Sequence, residues 1–135
     1  MRRPFILVVV GIVGCLVGSA PANAQQDVIG KWAGQVNQVG DAKPYSVKMD
    51  LVGREGRTDY PELNCGGRLT LVGQAAGYAF YTETIDRGRV SPDKPGGCID
   101  GTITVGRAGD NLGWVWFGVY RSSPYYAYSV LKPVR

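Results

Sequence analysis

Residues 45–52 read "YSVKMDLV", and in them Tyr45, Val47, Met49 and Leu51 alternate with Ser46, Lys48 and Asp50. A period of two sends successive side chains to opposite faces of an extended chain. The segment is therefore an amphipathic antiparallel strand, one face in a core and the other in water. A helix would need apolar residues every three to four positions. The same alternation returns in "GGCIDGTITVG", where Ile99, Ile103 and Val105 oppose Asp100, Thr102 and Thr104, and in "RLTLVG", where Leu69 and Leu71 oppose Arg68 and Thr70.

Three further runs are extended without being so clearly two-sided. "YAFYTETI" (78–85) carries apolar groups on both faces. "LGWVWFGVY" (112–120) is apolar throughout and reads as a central strand buried on both sides. "VIGKWAGQVNQV" opens the series and "YYAYSVLKPV" closes it. Between the runs lie turn signals rich in Gly, Asp and Pro: "VGDAKP", "VGREGRTDYP", "VGQAAG", "DRGRVSPDKPGG" and "RAGDN". Short strands at regular spacing predict an all-β fold, a small antiparallel sandwich or meander barrel of about seven to eight strands. The 91–97 segment is the loop expected to move most.

The N-terminus has the three-part pattern of a secretory signal peptide: Arg2 and Arg3, an apolar run from Phe5 to Val17, then small residues ending in Ala22-Asn23-Ala24. The run is too short for a membrane span of roughly 20 residues. Cleavage after Ala24 leaves 25–135 as a single exported β domain, periplasmic or secreted, with no transmembrane span. Ile12-Val13-Gly14-Cys15 offers an alternative, a lipid anchor through Cys15, although apolar Leu16 and Val17 follow it. Two of the 15 basic residues leave with the signal, so 13 face 11 acidic ones. No basic run or stripe remains, which argues against nucleic acid as a partner.

Cleavage also removes Cys15, leaving Cys65 and Cys98. A pair of cysteines in an exported chain reads as a disulfide. It would close a loop of about 34 residues, worth roughly 3–4 kcal/mol in the chain-entropy picture. Each cysteine lies near the start of a strand beside a Gly/Pro-rich turn, so the bridge would staple two strands flanking the 78–85 run. Two cysteines without a histidine make a poor metal site, and without C-x-x-C spacing they make a poor redox pair.

The chain contains no histidine. That removes Ser-His-Asp and Cys-His catalysis and the usual zinc hydrolases. No phosphate-binding glycine loop and no calcium loop is present, and no cofactor is implied. A carboxylate hydrolase would have to use Glu83 with Asp86 or Asp100. Glu83 and Asp86, three apart on a strand, point to opposite faces. Asp50 and Asp100 read as outward, solvated charges.

The aromatics offer more. Trp114, Trp116 and Tyr120 share one face of their strand; Val115, Phe117 and Val119 share the other. Tyr125, Tyr126 and Tyr128 crowd the next run. Such rows either pack in the core or bind sugars, amphipathic molecules or partner proteins. These six aromatics are the candidate ligand-binding residues; no catalytic or metal-binding residue is assigned.

The series Trp32-Ala-Gly34, Tyr45-x-Val47-x-Met-x-Leu51, Tyr60-Pro61-x-Leu63-x-Cys65-x-Gly67-x-Leu69-x-Leu71, Cys98-x-x-Gly101-x-Ile103 and Leu112-x-Trp114-x-Trp116 resembles a small β domain of secreted or extracellular parts of bacterial proteins. The Gly30-x-Trp32 opening resembles lipocalin-like barrels. The resemblance implies a β fold with the disulfide, and no catalytic residues. The expectation is a non-enzymatic exported binding or accessory domain of the cell envelope, recognising an envelope protein, a glycan or a small amphipathic ligand. A carboxylate hydrolase and a purely structural domain are the alternatives.

Overall fold

The computed structural model describes residues 27–41 and 43–135. The expected signal peptide, 1–24, and Cys15 lie outside them. Eight antiparallel strands follow one another round a closed barrel: β1 Gly30–Gln38, β2 Tyr45–Val52, β3 Glu55–Tyr60, β4 Cys65–Ala75, β5 Tyr78–Arg87, β6 Gly101–Ala108, β7 Asn111–Tyr120 and β8 Ser123–Pro133. Each strand pairs with its neighbours in sequence, and β1 closes the ring by pairing with β8, as in Trp32 opposite Pro133 and Gln38 opposite Ala127. Of the two architectures the sequence allows, the meander barrel is the one formed. Closure removes the free edges of an open sheet. Among the described residues no helix is long and apolar enough to cross a membrane.

The inward parity is that of the alternation. Val47, Met49 and Leu51 of β2, Leu69 and Leu71 of β4, and Ile103 and Val105 of β6 are all buried. β3 is a strand where the sequence predicted only a turn. Its inward positions are Gly56, Thr58 and Tyr60, too polar and too small to show an apolar face. β7 departs from expectation in the other direction. Leu112, Trp114 and Trp116 are buried, yet Val115, Phe117 and Val119 are exposed on the outer surface. It is a one-sided barrel strand, so its apolar outer row is not core.

The two ends of the barrel differ. Tight hairpins at Gly53, Ala76-Gly77 and Gly109 close one end. Buried Val28 lies there, and its carbonyl accepts the Trp32 indole N–H at 2.8 Å. The Arg107 guanidinium lies 5.3 Å from the Trp32 ring centroid, a cation–π lid on the plug. Both termini of the described chain sit at this end, where the Val134 N–H bonds the Lys31 carbonyl at 2.9 Å.

The opposite end is the mouth. It carries the β1–β2 loop, the short 3-10 helix Pro61–Leu63, the long 88–100 connection and the β7–β8 hairpin. Cys65 and Cys98 are disulfide-bonded there with Cα atoms 6.0 Å apart. The base of the long connection is tied again by Cys98 N–H to Gly88 O and Val90 N–H to Cys98 O, both at 2.9 Å. Gly88 has φ +68, and a Cβ on it would fall 2.1 Å from Asn64 O. Only glycine lets the loop turn this close to the bridge.

Candidate functional site

β5 places Ala79, Tyr81, Glu83 and Ile85 inside the barrel and Phe80, Thr82 and Thr84 outside. Glu83 is only 2% exposed. The sequence offers it only as one half of a carboxylate pair; its parity with Tyr81 and Ile85 puts it in the interior. Three side chains from two strands hold its carboxyl. Tyr60 of β3 donates its hydroxyl to Oε1 at 2.9 Å, and Thr58, two residues earlier, donates to the same oxygen. Trp116 of β7 donates its indole N–H to Oε2 at 2.8 Å. Thr58 Oγ1 in turn accepts the Gly67 N–H at 3.2 Å, which leaves the hydroxyl proton for Glu83.

The backbone makes room for this arrangement. Glu83 lies opposite Gly101 in the β5–β6 ladder. A Cβ at Gly101 would fall 2.5 Å from Trp116 Cε2 and 2.6 Å from its Nε1; one at Gly118 would fall 2.4 Å from Cη2. The indole therefore lies across two glycines, and the first gap is what lets it pass over β6 to Glu83.

Burial pushes the Glu83 carboxyl above the ordinary carboxylate range. The hydrogen bonds from Thr58, Tyr60 and Trp116 pull against this, and the nearby Asp100 charge adds to the rise. Burial, then the Glu83 charge, raises the Tyr60 hydroxyl well above its usual value. The Tyr45 hydroxyl is pushed up to about 12, first by burial and then by the charges of Glu83 and Asp41. None of the ion pairs among the described residues includes Glu83.

Glu83 forms part of the wall of a cavity of about 290 Å³ opening at the mouth. Five aromatic rings stand round it: Tyr45, Tyr60, Trp116, Tyr120 and Tyr125. Tyr45 and Tyr60 meet edge to face with centroids 6.0 Å apart. Leu63, Val90 and Ile99 add apolar lining, and Cys98 brings the disulfide to the rim. The volume is near the lower end of the range for small-molecule sites, roughly 300–1,000 Å³.

The six aromatics singled out by sequence are divided by the fold. Trp116, Tyr120 and Tyr125 line the cavity. Trp114 shares their inward parity but is 1% exposed and packed in the core. Tyr126 and Tyr128 lie on the outer surface with Val115, Phe117 and Val119, and the Phe117 and Tyr126 rings are 5.1 Å apart. Sequence reasoning missed Thr58 and Tyr60, which it left in a turn, and took Tyr45 as one more member of an apolar face. Even spacing inward from Tyr81 was the signal for Glu83.

The proposed carboxylate partners are elsewhere. Asp86 is on the outer surface, 3.1 Å from Arg57 Nη2 and 3.5 Å from Arg68 Nε. Asp100 accepts the Ile85 N–H at 2.8 Å and pairs with Arg89 at 2.8 Å. Partial burial raises its pKa, but the Arg89 and Ile85 hydrogen bonds prevail and hold it below its usual value. Neither lines the cavity with Glu83. Among the described residues no group of three or more His, Cys, Asp or Glu side chains could hold a metal ion. No family model matches the chain, and no curated protein is significantly similar to it.

Proposed function

We propose that this chain is a non-enzymatic binding domain, exported to the cell envelope, that takes a small amphipathic ligand into the mouth of its barrel. The observation that carries the reading is Glu83: one buried carboxyl, fixed by three donors, in the wall of an open, ring-lined cavity. A few fixed polar groups within an apolar lining are the usual make-up of a small-molecule site. Hydrolysis by paired carboxylates needs a second acid or base beside the first, at roughly 5–9.5 Å, and among the described residues Glu83 is the one carboxylate lining this cavity. The lipocalin-like opening Gly30-x-Trp32 agrees with ligand carriage in a barrel.

The test uses a neutral, environment-sensitive fluorophore, 1-N-phenylnaphthylamine, titrated into the wild type and into Leu63→Trp, which narrows the mouth. Saturable binding by the wild type, lost in the variant, is the expected result. Equal fluorescence with both proteins would remove the mouth as the binding site.

A further inference from the structure

We propose that the ligand of this cavity is an organic cation, a protonated amine on an aromatic or aliphatic body, with its ammonium group on Glu83 Oε2. This rests on the mouth being the ligand site and adds the ligand's chemical class.

Oε1 accepts two bonds, from Thr58 and Tyr60, while Oε2 accepts one, from Trp116. Each carboxylate oxygen has about two lone-pair sites, so Oε2 keeps one for a further donor. All three present donors are neutral. A buried carboxylate is costly to hold without an opposite charge, and no Lys or Arg of the described residues pairs with Glu83. The cavity is thus built round an anion whose neutralising charge the described chain does not supply.

The rings point the same way. Tyr45, Tyr60, Trp116, Tyr120 and Tyr125 surround the space beside Glu83. Aromatic faces are electron-rich and attract cations, Trp most strongly, and ring cages are a recurrent means of binding ammonium groups. An anionic ligand would meet repulsion from both Glu83 and the ring faces. A neutral acceptor would find no donor among the Glu83 partners, since all three are already committed to the carboxyl. An ammonium donates the missing hydrogen bond, neutralises the charge and stacks on the rings in one pose. Charge-assisted bonds of this kind are about twice as strong as neutral ones.

The experiment compares three probes matched in ring and chain, 2-phenylethylamine, 2-phenylethanol and 3-phenylpropanoate. Calorimetry and displacement of 1-N-phenylnaphthylamine at pH 7.5 measure binding to the wild type and to Glu83→Gln, whose fold is checked by circular dichroism. The amine is expected to bind the wild type at least tenfold more tightly than the alcohol, with the acid weakest. In Glu83→Gln the amine is expected to fall to the affinity of the alcohol. Equal binding of amine and alcohol by the wild type would overturn the cation assignment while leaving the mouth as a ligand site. That comparison needs no variant. Absence of binding by both the fluorophore and, in calorimetry, the amine would overturn both.

Discussion

Trp116 on β7 reaches over the whole of β6 to give its indole N–H to Glu83 on β5, at 2.8 Å. The bond favours the charged carboxylate, because the indole nitrogen can only donate. Replacing Trp116 by Phe removes that preference, and the Glu83 pKa is expected to rise further above its present raised value. Carbon-13 NMR titration of the Glu83 carboxyl reads this directly. An unchanged or lowered titration midpoint would contradict the geometry. Loss of a hydrogen bond to a charged group is expected to cost about 1.5–3 kcal/mol at neutral pH.

Glu83 also makes stability depend on pH. Burial holds its proton to a higher pH than in the unfolded chain, where the ordinary value is 4.5. Between the two values the folded state binds more protons, so stability falls as pH rises through the folded value. The contribution is complete below the unfolded value. Asp100 acts oppositely: the Arg89 and Ile85 hydrogen bonds outweigh partial burial and hold it below 3.8, so its contribution is lost as pH falls through the folded value. Thermal melts of the wild type and Glu83→Gln from pH 4.5 to 8 separate the two. The variant is expected to gain on the wild type as pH rises above 4.5, until the Glu83 carboxyl is fully ionised in the folded state. A constant offset across that range would show that the carboxyl does not titrate there.

Two glycines position the indole, and a third serves as control. Gly101→Ala or Gly118→Ala places a methyl inside the Trp116 ring volume, which is expected to cost about 1–3 kcal/mol as overpacking and to shift the tryptophan emission. At Gly113 the nearest atom to a Cβ is Gly106 O at 3.5 Å, an ordinary contact. Gly113→Ala is expected to leave both stability and emission nearly unchanged. Urea denaturation followed by fluorescence distinguishes the three variants.

The β7–β8 hairpin turns at Arg121 and Ser122, with φ of 48° and 65°. Two-residue turns of this hand favour Asn and Gly, since other side chains are strained at positive φ. Arg121→Asn with Ser122→Gly is expected to raise stability by about 1 kcal/mol, read as a higher urea midpoint at unchanged slope. A lower midpoint would mean that the contact of Arg121 with the Tyr120 ring, 5.3 Å to its centroid, outweighs the relieved strain.

The disulfide holds the rim of the mouth. Cys65→Ser with Cys98→Ser is expected to cost roughly 2–5 kcal/mol, with far-ultraviolet circular dichroism of the folded fraction unchanged. Unaltered stability in the double variant would show that the remaining contacts alone fix the 88–98 loop.

The parts of the fold legible from sequence are those where polarity and parity agree. β2 alternates without exception, and its inward residues are all core. β3 was illegible because Gly56 and Thr58 face inward, and neither carries an apolar signal. β5 is ambiguous because Tyr78 and Phe80 put rings on its outer face while Tyr81 puts one on the inner face. Its decisive inward residue, Glu83, has the opposite polarity to what burial ordinarily demands. The site went unread for the same physical reason: a buried charge breaks the alternation from which burial is inferred. Trp116, Tyr120 and Tyr125 stand out in the sequence by their bulk, whereas Tyr45 and Tyr60 join them only through a register that no local pattern encodes.

Because both described termini sit beside the Trp32 plug, with Val134 bonded to Lys31, the barrel has a handle at the end away from its opening. A tag, surface linker or neighbouring domain joined at either terminus emerges behind the cavity and leaves the approach to Glu83 clear. The same closeness lets a short peptide join the two ends. New termini could then be cut at the Gly53 or Gly109 hairpin, and every ladder of the ring would survive the rearrangement.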